Sequence, residues 1–143
     1  MSVLLALLIA ATPGSAIPPD EEVRSCFGPP IGFEAGSDRF PGNSEQTFAG
    51  IVDHMNNRLW SHGWFVLHST ISDARDQRAL DLVQRRQSRI LNELTRRGIA
   101  AARIRFAAPN EEFAGSDYEN LMIVESVVPL RFWAQIIPPD VVC

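Results

Sequence analysis

Three histidines, at positions 54, 62 and 68, are the side chains best suited to acid–base or metal chemistry. Their spacings of eight and six residues do not match the i, i+4 pair with which a helix holds a metal ion. His68 is followed by Ser69, but adjacent residues of a strand point to opposite faces and cannot act as nucleophile and base. The sequence therefore predicts neither a catalytic residue nor a metal site, and we expect no cofactor.

The other common signatures of an enzyme are equally weak. The sequence has no GxSxG nucleophile motif, no glycine-rich phosphate-binding loop and no cysteine beside a histidine. Glu111 and Glu112 are adjacent in the loop PNEEFAGSD, where neighbouring carboxylates are more often solvated than paired for glycoside hydrolysis. We expect a protein that is not an enzyme.

Two cysteines, Cys26 and Cys143, are the remaining reactive side chains. Without a pair of histidines nearby they make a poor zinc site. In an oxidising compartment they would form a disulfide that closes a long loop, which stabilises the fold by up to about 4–5 kcal/mol in the loop-entropy account. The sequence predicts a structural disulfide between them.

The composition is that of one globular domain, with 143 residues of which 45% are hydrophobic. A net charge of −4 argues against nucleic-acid binding, because such domains usually concentrate basic residues against phosphates. The charge is unevenly placed: residues 74–105 hold nine Arg against three acidic residues, a local charge of +6, and the rest of the chain carries −10.

The first 16 residues, MSVLLALLIAATPGSA, resemble an export signal. An apolar stretch ends at Pro13 and Gly14, and small residues stand at the −3 and −1 positions of a cleavage site after Ala16. The stretch is shorter than the roughly 20 apolar residues that span a bilayer. The alternative to an export signal is a buried structural segment. We predict an exported protein of the periplasm or cell envelope, with no transmembrane span in the mature chain.

The rest of the chain alternates strand and helix patterns after a Pro-rich lead, residues 17–30, that we expect to be irregular. The predicted elements are a strand at 31–34, a helix from Asn43 or Ser44 to about Trp60, a doubly covered strand at 64–67, a helix from Asp73 or Asp76 to Arg97 stopped by Gly98, a strand at 103–106 and a strand from Glu119 to Val128. This order, βαβαββ, predicts an α+β two-layer sandwich. A C-terminal tail, 129–143, contains Phe132 and Trp133, which are too apolar to be comfortable in water.

The spacing of these elements resembles the OmpA C-terminal-like domain family. The segment IGFEAGSDRF is similar to the family's first strand and turn, and from residue 64 to 99 its pattern of apolar strand, polar turn and helix fits without a gap. Leu82, Arg86 and the pair Gly98-Ile99 fall on family positions of that helix. The resemblance covers residues 31–128 and implies a mixed sheet of about four strands with two long helices on one face.

The family resemblance also implies a ligand, the diaminopimelate residue of peptidoglycan. Family members bind its amino group with an Asp in the turn and its carboxylate with an Arg, a division that suits a zwitterion. Arg86 matches the Arg and Thr70 matches the Thr of the turn, but Ile71 stands where the Asp should be. Asp73 lies two residues further on, and a longer local loop would bring it into place. The implied ligand-binding residues are Arg86, Thr70 and Asp73.

Other departures leave the function open between two hypotheses, with a cell-wall hydrolase as a distant third. Ala79 and Gln87 replace family residues, and Asn120-Leu121-Met122 stands where the family often has Asn-Arg-Arg. Arg86 also lies among other arginines, and a run of charge is usually a solvated helix face. The first hypothesis is an exported, non-catalytic domain that binds peptidoglycan weakly or descends from one that did. The alternative is a module that keeps the fold without the ligand and binds other envelope proteins.

Overall fold

A computed structural model of the chain describes residues 22–57 and 60–136. Its five strands and three helices are, in chain order, β1 (Val23–Phe27), β2 (Ile31–Gly32), α1 (Ser44–Met55), β3 (Trp64–Ser69), α2 (Gln77–Arg96), β4 (Ile104–Phe106), β5 (Leu121–Pro129) and α3 (Leu130–Ile136). A 3-10 turn, Ala101–Arg103, leads into β4. The predicted α+β class is confirmed.

The strands form one mixed sheet in the order β1-β5-β3-β4, with β2 also paired to β5. β5 runs antiparallel to β1, β2 and β3, whereas β3 and β4 are parallel and are joined through α2. The sheet has five strands rather than about four, because β1 extends it beyond the segment that the resemblance covers.

β1 lies in the lead that the sequence predicts to be irregular, and that prediction is wrong for these five residues. Because prolines precede and follow these residues, the local sequence pattern predicts a loop rather than a strand. Its pairing is long-range, since Val23 lies opposite Pro129 and Phe27 opposite Glu125. A strand whose partner is about a hundred residues away along the chain is not specified by its own sequence pattern.

Both long helices pack on one face of the sheet and close a single core. α1 contributes Phe48, Ile51 and Met55, and α2 contributes Ile90 and Leu94, each at most 2% exposed. β3 alternates between partly and fully buried residues, so only its inner face is completely covered. The prediction of a strand covered on both faces is therefore wrong, although the strand itself is confirmed.

The ends of α2 have the expected chemistry. The Asp76 carboxylate accepts a hydrogen bond from the backbone N–H of Arg78, 2.9 Å away, and caps the helix. Gly98 adopts a φ of 96°, which favours glycine, directly after the helix. α1, in contrast, ends at Met55 rather than near Trp60.

The segment after β5 is part of the domain, at least as far as α3. Phe132 and Trp133 pack against the core, and the Trp133 ring lies 5.9 Å from that of Trp60. The predicted signal segment and residues 137–143 lie outside the described residues. Within 22–57 and 60–136, no helix combines the length and apolar character needed to cross a bilayer.

Candidate functional site

A pocket of about 320 Å³ opens where β3 ends and the chain turns towards α2. Three parts of the chain enclose it: the β3–α2 turn with the inner side of α2, the loop after β2, and the residues just before β5. The lining residues are Ala35, Gly36, Thr70, Ile71, Ser72, Ala79, Leu82, Val83, Arg86, Glu119 and Asn120. Two of the three predicted ligand-binding residues, Thr70 and Arg86, are therefore brought together.

Arg86 is turned inwards from α2, away from its exposed neighbours Arg85 and Arg89, and only 6% of it is exposed. It lies on the same helix face as Val83 and Ile90, so it is not part of the solvated charge run. A buried guanidinium must be hydrogen-bonded to be tolerated, and the surrounding backbone meets that requirement.

Three hydrogen bonds hold the Arg86 guanidinium in place. Nε donates to the carbonyl oxygen of Ser37 at 2.7 Å, and Nη2 donates to the carbonyl oxygen of Glu34 at 3.3 Å and to Asn120 Oδ1 at 2.8 Å. The guanidinium also lies 4.8 Å from the centre of the Phe33 ring. Among the described residues no partner is recorded for Nη1, so that nitrogen keeps its donors.

The charge state of Arg86 follows from opposing effects. Burial lowers the pKa of the guanidinium, while the nearby carboxylates of Glu119 and Asp38 oppose that shift. Arginine starts from so high a pKa that it stays charged at neutral pH. The pocket therefore contains a permanent positive charge with a fixed orientation.

The turn that follows β3 places Thr70 and Ile71 against the pocket and leaves Asp73 outside its lining. Ile71 is 1% exposed, and its backbone N–H donates to the carbonyl oxygen of Asn110 at 3.0 Å. The Asp73 carboxylate accepts from the backbone N–H of Arg75 at 2.9 Å and lies 3.7 Å from the Arg75 guanidinium. The loop thus uses Asp73 to shape its own turn.

Comparison with known proteins bears on the fold. No protein-family model matches the sequence, and a search of the curated proteins finds no match. A similar solved structure is the OmpA-like domain of FopA1 from Francisella tularensis subsp. tularensis SCHU S4, with a TM-score of 0.53 at 12% identity over 76% of this chain and 82% of that chain. The fold is that of an OmpA-like domain. At this identity the similarity extends to the fold alone.

One charged residue of the pocket was missed from the sequence. Glu119 lines the pocket, is partly buried, and has no hydrogen-bond or ion-pair partner recorded among the described residues. The only available signal was its place beside Asn120, at the start of the last strand. A lone carboxylate in a loop carries no pattern of its own.

The three histidines lie apart from the pocket. His54 Nε2 is 2.6 Å from Ser126 Oγ in the core, and burial lowers the pKa of its imidazole. His68 lies 3.2 Å from Glu125 on the outer side of the sheet, whereas the neighbouring Ser69 points inwards and is buried. His68 and Ser69 thus occupy opposite faces, as expected.

The adjacent residues Glu111 and Glu112 and the two cysteines are the other reactive side chains considered in the sequence analysis. Glu111 accepts a hydrogen bond from the backbone N–H of Ala74, which ties the long loop before β5 to the start of α2, and Glu112 is exposed. Cys26 is the buried residue of β1. Cys143 lies outside the described residues, so the disulfide stays a prediction.

Proposed function

We propose that this OmpA-like domain is a non-catalytic binding module of the cell envelope that holds a peptidoglycan stem peptide at its diaminopimelate residue. The observation that carries the proposal is the position of Arg86. It is fixed by three hydrogen bonds at the wall of a 320 Å³ pocket and keeps Nη1 for a ligand carboxylate. A pre-oriented guanidinium loses little freedom when it binds, which favours affinity.

The neutral polar groups of the pocket support the same ligand. The hydroxyls of Thr70 and Ser72 and the side-chain amide of Asn120 lie beside Arg86 and can bind the polar atoms of a peptide. Asn120 Oδ1 already accepts from Arg86, so its NH₂ group is directed to other acceptors. Export, as the N-terminal residues predict, would bring the protein to the compartment that contains the ligand.

Co-sedimentation with purified, protein-free sacculi tests the proposal. The full chain should pellet with sacculi whose stem peptides contain diaminopimelate, and Arg86→Lys should pellet less because lysine lacks the planar donor pair. Arg85→Ala, at the exposed neighbouring position, is the matched control and should pellet like the wild type. No pelleting of the wild type would refute the ligand, and equal pelleting of Arg86→Lys would refute the site.

The alternative function, binding to another envelope protein, is favoured by exposed apolar residues on the edge strand β1. Val23 is 44% exposed and Phe27 is 68% exposed. An exposed edge strand with apolar side chains is a common place for protein association. If the alternative holds, the chain should bind native envelopes but not protein-free sacculi, and the double change Val23→Ser and Phe27→Ser should remove that binding.

A further inference from the structure

The pocket contains two charged side chains of opposite sign, Arg86 and Glu119, and its other polar lining residues are neutral. A purely anionic ligand would be repelled by Glu119, and a purely cationic ligand would be repelled by Arg86. A group with a carboxylate and an ammonium a few ångströms apart satisfies both. The charge pattern of the lining therefore selects a zwitterionic head group.

Glu119 is the acidic residue of the pocket lining, and within residues 22–57 and 60–136 its carboxylate is available for this role. The other acidic residues near the pocket are engaged: Asp73 with Arg75, Glu34 with Arg39, and Asp38 with Arg89. Glu119 is partly buried and, within the described part of the chain, no hydrogen bond or ion pair of its carboxylate is recorded. A partly buried carboxylate without a partner is a costly feature unless something else binds it.

The relation of Glu119 to Arg86 leaves room for a ligand. Burial lowers the pKa of Arg86 and the charge of Glu119 opposes that shift, so the two side chains lie within electrostatic range, but among the described residues no ion pair within 4.0 Å joins them. Asn120 follows Glu119 in the chain and binds Arg86 directly. Arg86 from α2 and Glu119 from the segment before β5 thus both line the pocket without forming an ion pair.

We propose that Glu119 binds the ammonium group of the ligand, in the place of the turn carboxylate that the sequence lacks at Ile71. This inference rests on the proposed function and adds the residue that binds the ammonium group of the same ligand. The ligand carboxylate binds Arg86 Nη1, and the ammonium binds Glu119 from the loop before β5. The pocket therefore requires an amino acid head group in which neither charge is blocked.

Titration calorimetry of the full chain with a soluble muropeptide, the tripeptide that ends in diaminopimelate, tests the assignment. Glu119→Gln keeps the shape of the side chain and removes its charge, and it should weaken binding by about tenfold or more, as expected for a lost hydrogen bond between charged groups. Asp117→Asn changes the same charge on the same loop, outside the pocket lining, and should leave the affinity within about twofold.

A second probe, the same tripeptide with its diaminopimelate amino group acetylated, separates a direct contact from a general charge effect. The wild type should lose about the same factor on this probe as Glu119→Gln loses on the free amine. Glu119→Gln should bind the two probes nearly equally, because the variant lacks the carboxylate that favours the free amine over the acetylated one. A thermal melt of each variant identifies any loss that comes from unfolding.

The outcomes distinguish this inference from the proposed function. If the wild type binds neither probe, both are overturned. If the wild type binds the free amine and Glu119→Gln binds it equally well, only the assignment of Glu119 is overturned. Loss of binding in Asp73→Asn, with Glu119→Gln unaffected, would instead assign the ammonium to Asp73.

Discussion

At the scale of single residues, position 71 belongs to both the pocket and the buried interior. Ile71 is 1% exposed although it lines the cavity. An aspartate there would have to bury a carboxylate in a space that now encloses an apolar side chain almost completely. The aspartate that the resemblance implies would therefore damage the fold if it were introduced alone.

We expect Ile71→Asp to lower the free energy of unfolding by at least about 2 kcal/mol, from lost apolar packing and a buried charge. The conservative change Ile71→Val should cost only about 0.5–1.5 kcal/mol. Urea denaturation of the two variants measures the difference. An Ile71→Asp variant as stable as Ile71→Val would mean that the position opens to water.

His54 gives a pH dependence at the same scale. Burial lowers the pKa of its imidazole in the folded protein, whereas a histidine imidazole in the unfolded chain has a pKa near 6.5. The fold therefore favours the neutral ring, and this stabilisation is fully present above about pH 6.5 and is lost as the pH falls through the folded-state pKa. Contact with Ser126 and with the rings of Trp60 and Phe65 is consistent with a neutral side chain.

His54→Gln should remove this part of the acid sensitivity, because glutamine does not titrate and keeps a polar group near Ser126. Denaturation curves of the wild type and the variant at pH 8 and pH 5 provide the measurement. The wild type should lose more stability than the variant between the two conditions. The same loss in both proteins would assign the acid sensitivity to other groups.

At the scale of elements, the junction between α1 and β3 depends on a close backbone approach at Gly63. A Cβ atom built at Gly63 would lie 2.3 Å from the backbone oxygen of Val127 in β5. Neither backbone can yield without shifting one strand against the other. Arg103 reinforces the junction by donating Nη2 to the carbonyl oxygens of Met55 and Trp60.

We expect Gly63→Ala to destabilise the protein by roughly 1–3 kcal/mol through this overlap. The matched control is Gly50→Ala inside α1, where an added Cβ meets no atom within 4 Å. That change should stabilise the helix by about 0.5–1 kcal/mol, because alanine is the better helix former. Melting temperatures that shift in the same direction for both variants would contradict this account.

Elements also differ in how well the sequence predicts them. α2 is recognisable because its apolar residues recur at helical spacing and Asp76 and Gly98 mark its ends. β1 and the position of Glu119 depend instead on contacts between distant parts of the chain. The sequence did not show whether the Arg86 side chain points inwards or into solvent. Its hydrogen-bond acceptors are carbonyl groups of a loop some fifty residues earlier in the chain.

At the scale of the whole molecule, α3 extends the domain beyond the predicted boundary at residue 128. Its aromatic residues cover the core near Trp60, and Phe132 stacks on His62 with ring centres 4.1 Å apart. We expect the double change Phe132→Ala and Trp133→Ala, which keeps Cys143, to lower the free energy of unfolding by more than about 2 kcal/mol. Denaturation under reducing conditions measures this change. An unchanged stability would mean that α3 does not contribute to the stability of the domain.

The topology of β5 also governs the order in which the molecule can form. β5 follows every other strand in the chain and pairs with three of them. β1 and β2 therefore remain separated from β3 until residues 121–129 have been synthesised, and the sheet cannot assemble progressively from the N-terminus. Before β5 is available, β3 can pair only with β4, and the sheet is completed by a late, long-range pairing step.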